Sequence, residues 1–255
     1  PNVYNFGLRL RGAFIVFEAF TSAETKYNQN STRFGMLTKM YFDQYVLMKA
    51  KIETYVLEIG RVLRPPSEGE KTFNIFYQVL SSNFTSFGRY LKHMKFGSPL
   101  DYNYTHQEGL EYNQEEDAKS FSKLIEAMVV IGFNAEEMQT LFQVIGSLLY
   151  LGNIIFIEEV GEDNEMITAV KDTYPLEMAA KALGVDVYAL NAMLTEKVVR
   201  VEGKRVIKPL SNLEASTVRD GMVKVIYEAI FSRVKYIVNL SLSNMSEGDP
   251  VGIDD

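Results

Sequence analysis

The chain has 255 residues, 47% of them apolar and 23% charged, enough for one large domain or two modest ones around a real core. Its net charge of −7 argues against a nucleic-acid binder, which needs a basic surface. The absence of cysteine excludes a disulfide scaffold, a zinc–thiolate site and a cysteine nucleophile, and fits an intracellular chain.

No apolar run reaches the roughly 18 residues a membrane span requires, and no basic-then-apolar signal pattern opens the chain. Apolar spacing at Leu10, Phe14, Phe17 and Phe20 predicts a helix over residues 8–24. A polar turn from Lys26 to Ser31 follows, rich in side chains that bond nearby backbone. Alternation through Phe34, Met36, Thr38, Met40 and Phe42, then through Val46 to Val56, predicts a hairpin, although its turn lacks the favoured Asn-Gly or Asp-Gly.

Pro65 to Glu70 is a break, followed by a helix near 71–83 and an irregular, tyrosine-rich stretch to Asn113. Helices are expected from Asp117 to Ile131 and, with Asn134 as cap and Glu137 three residues on, to about Leu151. The acids at Glu158, Glu159, Glu162, Asp163 and Glu165 read as a solvated loop over 158–165. Two short helices at 175–183 and 186–195 precede an alternating strand or extended loop, Glu196 to Lys208. Ser211 and Glu214 then form a capping-box pattern ahead of a long helix, 212–242, with its apolar stripe at Val218, Met222, Ile226, Ile230, Val234 and Ile237.

Catalytic signatures are few. No G-x-S-x-G, H-E-x-x-H, G-x-G-x-x-G or G-x-x-x-x-G-K-[ST] occurs, and His93 and His106 read as ordinary surface or packing residues. The informative segment is Asn28-Gln29-Asn30-Ser31-Thr32-Arg33-Phe34-Gly35. Its amides, hydroxyls and guanidinium suit a polyphosphate and its magnesium ion. On composition alone it reads equally as a polar connecting loop.

Order and context resolve that choice. The segment resembles switch I of the myosins, N-x-N-S-S-R-F-G-K, and the preceding Phe17 to Thr25 occupies the place of E-A-F-G-N-A-K-T. Further matches follow in order: Tyr55 to Val62 with Y-L-L-E-K-S-R-V, Phe73 to Gln78 with F-H-I-F-Y-Q, and Asp101 to Tyr104 with D-Y-x-Y. Ala127 to Phe133 and Leu148 to Ile154 resemble A-M-x-x-(I/L)-G-F and L-H-L-G-N-I, and Arg219 to Lys224 resembles R-D-A-L-A-K. Kinesin switch I also reads N-x-x-S-S-R but continues with Ser-His, where this chain has Phe34-Gly35. Departures are Met36 for Lys, Thr21 for Gly, Asn74 for His and Tyr150 for His.

The resemblance implies an α-rich α+β fold: the helical upper actin-binding subdomain of a P-loop NTPase-type motor, with part of its central sheet, the transducer strands. It implies three regions: 1–60 as switch I helix, loop and transducer hairpin, 61–248 as the helical subdomain, and 249–255 as the start of the switch II strand. ATP and Mg2+ are the implied cofactors. Asn28 and Asn30 would contact the phosphates, Ser31 would lie near the γ-phosphate and attacking water, and Thr32 would ligate Mg2+. Arg33 would pair with a switch II glutamate, and Asp255 would reach the metal through water. The phosphate-binding loop and that glutamate would lie outside the chain, so residues 1–255 by themselves are expected neither to bind ATP tightly nor to hydrolyse it.

The implied partners are the actin filament and the rest of the myosin head, in the cytoplasm and on the cytoskeleton, with no nucleic acid and no membrane span. Residues 197–208 match the actin-facing loop of the upper head, and Arg200, Lys204 and Arg205 make it basic, complementary to acidic actin. Without the resemblance the same charges read as a solvated hairpin face. Lys204, sixteen residues before Asp220, stands where many myosins are acidic or phosphorylatable, which inverts the expected charge. The alternative function is a non-motor actin tether or scaffold with a degenerate nucleotide site. A helical interaction domain unrelated to myosin is the third reading.

Overall fold

The computed structural model describes residues 3–64, 68–107, 112–161, 166–201 and 204–243. In chain order the helices are α1 (Val3–Thr21), α2 (Asn74–Leu80), α3 (Gly88–Leu91), α4 (Gln114–Ile131), α5 (Ala135–Gly152), α6 (Thr173–Leu183), α7 (Val187–Thr195) and α8 (Asn212–Ser243). The strands are β1 (Ser22–Ala23), β2 (Ser31–Thr32), β3 (Gly35–Asp43), β4 (Val46–Tyr55), β5 (Phe156–Val160), β6 (Met166–Val170), β7 (Glu196–Val201) and β8 (Lys204–Pro209). They pair antiparallel in sequence, making four two-stranded sheets among the described residues.

The helix boundaries follow from capping. Asn134 accepts from the Glu137 amide while the Glu137 carboxylate accepts from the Asn134 amide, the reciprocal box expected at α5. Ser211 and Glu214 do the same at α8. Gly132 and Gly184 close α4 and α6 at φ of 108° and 69°, a region open to glycine.

Four expectations shift. Ser22 and Ala23 leave the first helix and pair with Thr32 and Ser31. The helix expected at 71–83 begins only at Asn74, and residues 81–84 tighten into a 3-10 turn. Glu158 and Glu159 belong to β5, because the acids occupy solvent-facing positions of a hairpin; Glu162, Asp163 and Glu165 lie outside the described residues. The stripe of α8 is wider than expected: Ile230, Val234 and Ile237 are buried and Met222 and Ile226 half-buried as expected, but Val223, Tyr227, Phe231, Val238 and Leu242 are buried as well, while Val218 is exposed. The single stripe misses this because α8 packs against several elements at once, including α1, α5, α7 and β4.

The β3–β4 hairpin forms as expected. Its turn places Gln44 and Tyr45 at φ of 42° and 71°, the primed geometry that matches strand twist, despite lacking glycine or asparagine there. Ala50 and Ile52 are buried, but Met48 and Val56 on the same face remain exposed, so α8 covers only the middle of the strand. There the Asn239 side chain accepts from the Ile52 amide at 2.7 Å and donates to the Ile52 carbonyl at 3.0 Å, serving as a one-residue substitute for a neighbouring strand.

Three motifs quoted above meet away from the loop. Asn153 accepts from the Asn103 amide at 2.8 Å and donates to the Asp101 carbonyl at 2.7 Å. The Tyr104 ring lies so close to Gly152 that a Cβ there would sit 2.6 Å from it, and its hydroxyl donates to Asp220 at 2.8 Å. Arg219 donates to the Ile154 carbonyl at 2.6 Å. The three segments form one packed junction. Tyr150, at the L-H-L-G-N-I histidine position, donates to the Met94 carbonyl.

The Asn239 clamp yields a stability test. Asn239→Ala strands both backbone groups of buried Ile52 and is expected to cost about 1–3 kcal/mol, read as a lower urea midpoint.

Candidate functional site

The segment Thr21 to Gly35 is a loop closed by its own backbone. Strands β1 and β2 pair Ser22 with Thr32 and Ala23 with Ser31, and the Arg33 amide donates to the Thr21 carbonyl at 2.8 Å. Inside this neck, Thr25 and Asn28 exchange backbone bonds, and the Asn30 amide donates to Asn28 Oδ1 at 3.0 Å. That last bond is the local side-chain turn that asparagine favours. The neck is anchored by Phe34, whose ring packs 6.0 Å from both Phe17 on α1 and Phe231 on α8. Gly35 follows because a Cβ there would press on Tyr55 at 3.3 Å.

Asn28, Asn30, Ser31, Thr32 and Arg33 are thus brought together. Asn28, Asn30 and Thr32 are exposed; Ser31 and Arg33 are half-buried. Arg33 donates through Nη2 to Ser31 Oγ, and its Nη1 lies 3.6 Å from Glu58 Oε2. Thr32 Oγ1 has no hydrogen-bond partner among the described residues, so its lone pairs are free for a metal. Asp255 falls outside the described residues. Arg200, Lys204 and Arg205 sit elsewhere, exposed on the β7–β8 hairpin.

Residues that sequence reading did not single out hold this arrangement. Val56, at φ 43°, turns the chain out of β4, after which the Glu58 amide donates to the Arg33 carbonyl at 3.0 Å. Glu58 also binds Arg61, which is 1% exposed and further held by Glu70 at 3.0 Å and the Lys71 carbonyl at 3.1 Å. Lys71 Nζ pairs with Glu24 at 2.6 Å, and Asn74 Nδ2 donates to Asn30 Oδ1 at 3.0 Å. Glu58, Arg61 and Asn74 lie within matched motifs; Asp117 carries no signal beyond an acid in the first turn of a helix.

A cleft of about 500 Å3 opens beside the loop, lined by Gln29, Asn30, Lys71, Asn74, Gln78 and Asp117 among others. Burial lifts the Asp117 carboxyl to about 6; Lys71 opposes the shift, while Glu24 and Glu116 add to it. The native state therefore holds a proton that the unfolded chain releases between pH ~4 and ~6, so this contribution to stability is full at low pH and lost as pH rises through 6. Asp117→Asn is expected to raise stability at pH 7 by about 1 kcal/mol, allowing for partial exposure, and to have no effect near pH 3.5. Melting temperatures of both proteins across that range check it.

Comparison with known proteins agrees with this arrangement of motifs. The family model for the myosin head (motor domain) matches residues 10–255. The chain is 33% identical to unconventional myosin-Ic of Danio rerio over 96% of this chain and 24% of that protein. It is 34% identical to unconventional myosin IC of Drosophila melanogaster over 89% of this chain and 21% of that protein. With Myosin-14 of Arabidopsis thaliana it shares 31% identity over 89% of this chain and 15% of that protein. It spans at most about a quarter of the length of these relatives. The chain belongs to the myosin head (motor domain) family.

Proposed function

We propose that the chain is the switch I and upper actin-binding part of an actin-based motor head that hydrolyses ATP. The observation that carries this reading is the loop closed at Thr21–Arg33, with Asn28, Asn30 and Thr32 exposed and the Arg33 guanidinium bonded to the half-buried Ser31 at the neck. The donor set fits Mg–ATP: amides for phosphate oxygens and an unpaired hydroxyl oxygen for a hard cation. Bound Mg–ATP supplies the scissile bond and the divalent charge that offsets negative charge on the phosphoryl group.

The chain's residues position and stabilise; none acts as a covalent nucleophile. Asn28 and Asn30 would donate to phosphate, Thr32 would ligate the metal and Asp255 would support it through water. Arg33 donates to the Ser31 hydroxyl, which would serve the γ-phosphate and attacking water. Residues 1–60 form the loop and transducer hairpin, 61–248 the helical subdomain and 249–255 the entry to switch II, in a cytoplasmic, cytoskeleton-associated protein.

The actin side rests on the β7–β8 register, which sets Arg200 opposite Arg205 and Lys197 opposite Lys208. Like charges directly opposite destabilise a hairpin. Among the described residues, only Lys197 of these has an acidic partner, Glu214 at 2.5 Å, which holds the Glu214 carboxyl down at about 2. The two pairs lie on opposite faces of the hairpin, and a hairpin kept basic on both against its own repulsion suits an acidic partner such as the actin filament.

Two experiments on the head containing this chain test the reading. Thr32→Ala is expected to lower MgATP turnover roughly 100-fold, as loss of a group stabilising phosphoryl charge does, while Thr32→Ser keeps most of it. Equal activity of the two variants would remove Thr32 from the metal site, and a head with no turnover at all would favour the tether or scaffold. Reversing Arg200 and Arg205 to Glu is expected to weaken actin cosedimentation more at low salt than at high salt.

A further inference from the structure

The exposed part of the loop, Tyr27 to Asn30, is organised by bonds that travel with it: the Thr25–Asn28 pair and the Asn28–Asn30 turn. Such bonds set the loop's shape but do not fix it to the body. Among the described residues, the three hydrogen bonds that do so away from the neck come from Lys71, just before α2, and Asn74, its first residue. Lys71 binds Glu24 through its ammonium and also through its amide, at 2.9 Å to the Glu24 carbonyl. Asn74 binds Asn30.

Asn74 is an unusually firm post. It is the first residue of α2, and every following residue of that helix, Ile75 to Leu80, is buried. Its backbone is therefore fixed by the core while its side chain stays at the surface. An amide is planar, so engaging Asn30 Oδ1 also sets the direction in which the Asn30 N–H donors point. Asn74 stands where the F-H-I-F-Y-Q pattern has histidine; both side chains can donate, but the asparagine does so independently of pH.

We propose that Asn74 is a positioning residue for the nucleotide: through Asn30 it holds the loop in the arrangement that receives the polyphosphate. This rests on the switch I reading above. Asn74→Asp is the informative variant. It keeps size and shape and favours a helix start, where a negative charge is stabilising, yet it removes the donor and turns a second acceptor on Asn30 Oδ1.

In the head containing this chain, Asn74→Asp is expected to raise the KM for MgATP roughly three- to tenfold, the scale of one lost hydrogen bond, with little change in melting temperature. Asn74→His is expected to restore KM to within about twofold, since it can donate again. In an Asn30→Ala background, Asn74→Asp is expected to add nothing, because the partner is already gone. A wild-type KM in Asn74→Asp overturns the proposal, as does an effect that persists without the Asn30 side chain or one that tracks a fall in melting temperature. If Asn30→Ala raises KM and Asn74→Asp does not, the positioning role fails alone. If Asn30→Ala and Thr32→Ala both leave KM unchanged, the switch I reading fails and takes this proposal with it.

Discussion

Arg61 is 1% exposed, and a guanidinium cannot shed its charge, so its burial obliges the surrounding chain to supply acids and acceptors. Glu58, Glu70 and the Lys71 carbonyl meet that demand. Removing one partner of such a buried pair typically costs about 3–5 kcal/mol, which makes these positions mutually binding. Glu58 cannot then be placed freely, and it is Glu58 that faces Arg33 at the loop's neck. Glu70 and Lys71 lead directly into Asn74 and α2. Both sides of the loop thus take their positions from one buried charge.

The long helix α8, of 32 residues and about 48 Å, is contacted by a different region at each stage of its length. Near its start, Glu214 holds Lys197 of the basic hairpin. In its first half Asp220 and Arg219 close the junction with Tyr104 and Ile154. Midway, Tyr227 donates to the Phe20 carbonyl and stacks on Phe73, and Phe231 meets Phe34. Near its end, Asn239 grips Ile52 of β4. The charged hairpin, the loop's anchor and the β3–β4 hairpin are all fastened to one rod.

Much of this was legible where the signal is local. Capping boxes at Asn134 and Ser211 need only residues three apart, and the alternation from Gly35 to Tyr55 marks a hairpin whatever surrounds it. The loop was legible through order, since Asn28 to Gly35 recurs with the motifs around it. What stayed hidden depends on tertiary placement. The Asn74–Asn30 bond spans 44 positions, and Asn239 reaches Ile52 across 187. The acids of β5 concealed a strand because solvent-facing strand positions and loops favour the same residues. The stripe read from the sequence of α8 holds from Met222 to Ile237 but is too narrow, because a helix contacted on several sides has no single apolar face.

The anchors of the loop differ in strength in a way that suits a moving part. The Arg61 frame is buried, little affected by salt and costly to break. The loop's own bonds, Asn30 to Asn28 and Asn74 to Asn30, join neutral groups in water, each worth about 0.5–1.5 kcal/mol. Between them stands Arg33, half-buried, joined loosely to Glu58 and closely to Ser31. On the proposed reading, a ligand that accepts charge-assisted bonds from Asn28, Asn30 and Ser31 would add to these neutral bonds without disturbing the frame. Its departure returns the balance to the protein's own contacts. The loop can therefore order and release at a few kcal/mol while the core that carries it stays folded.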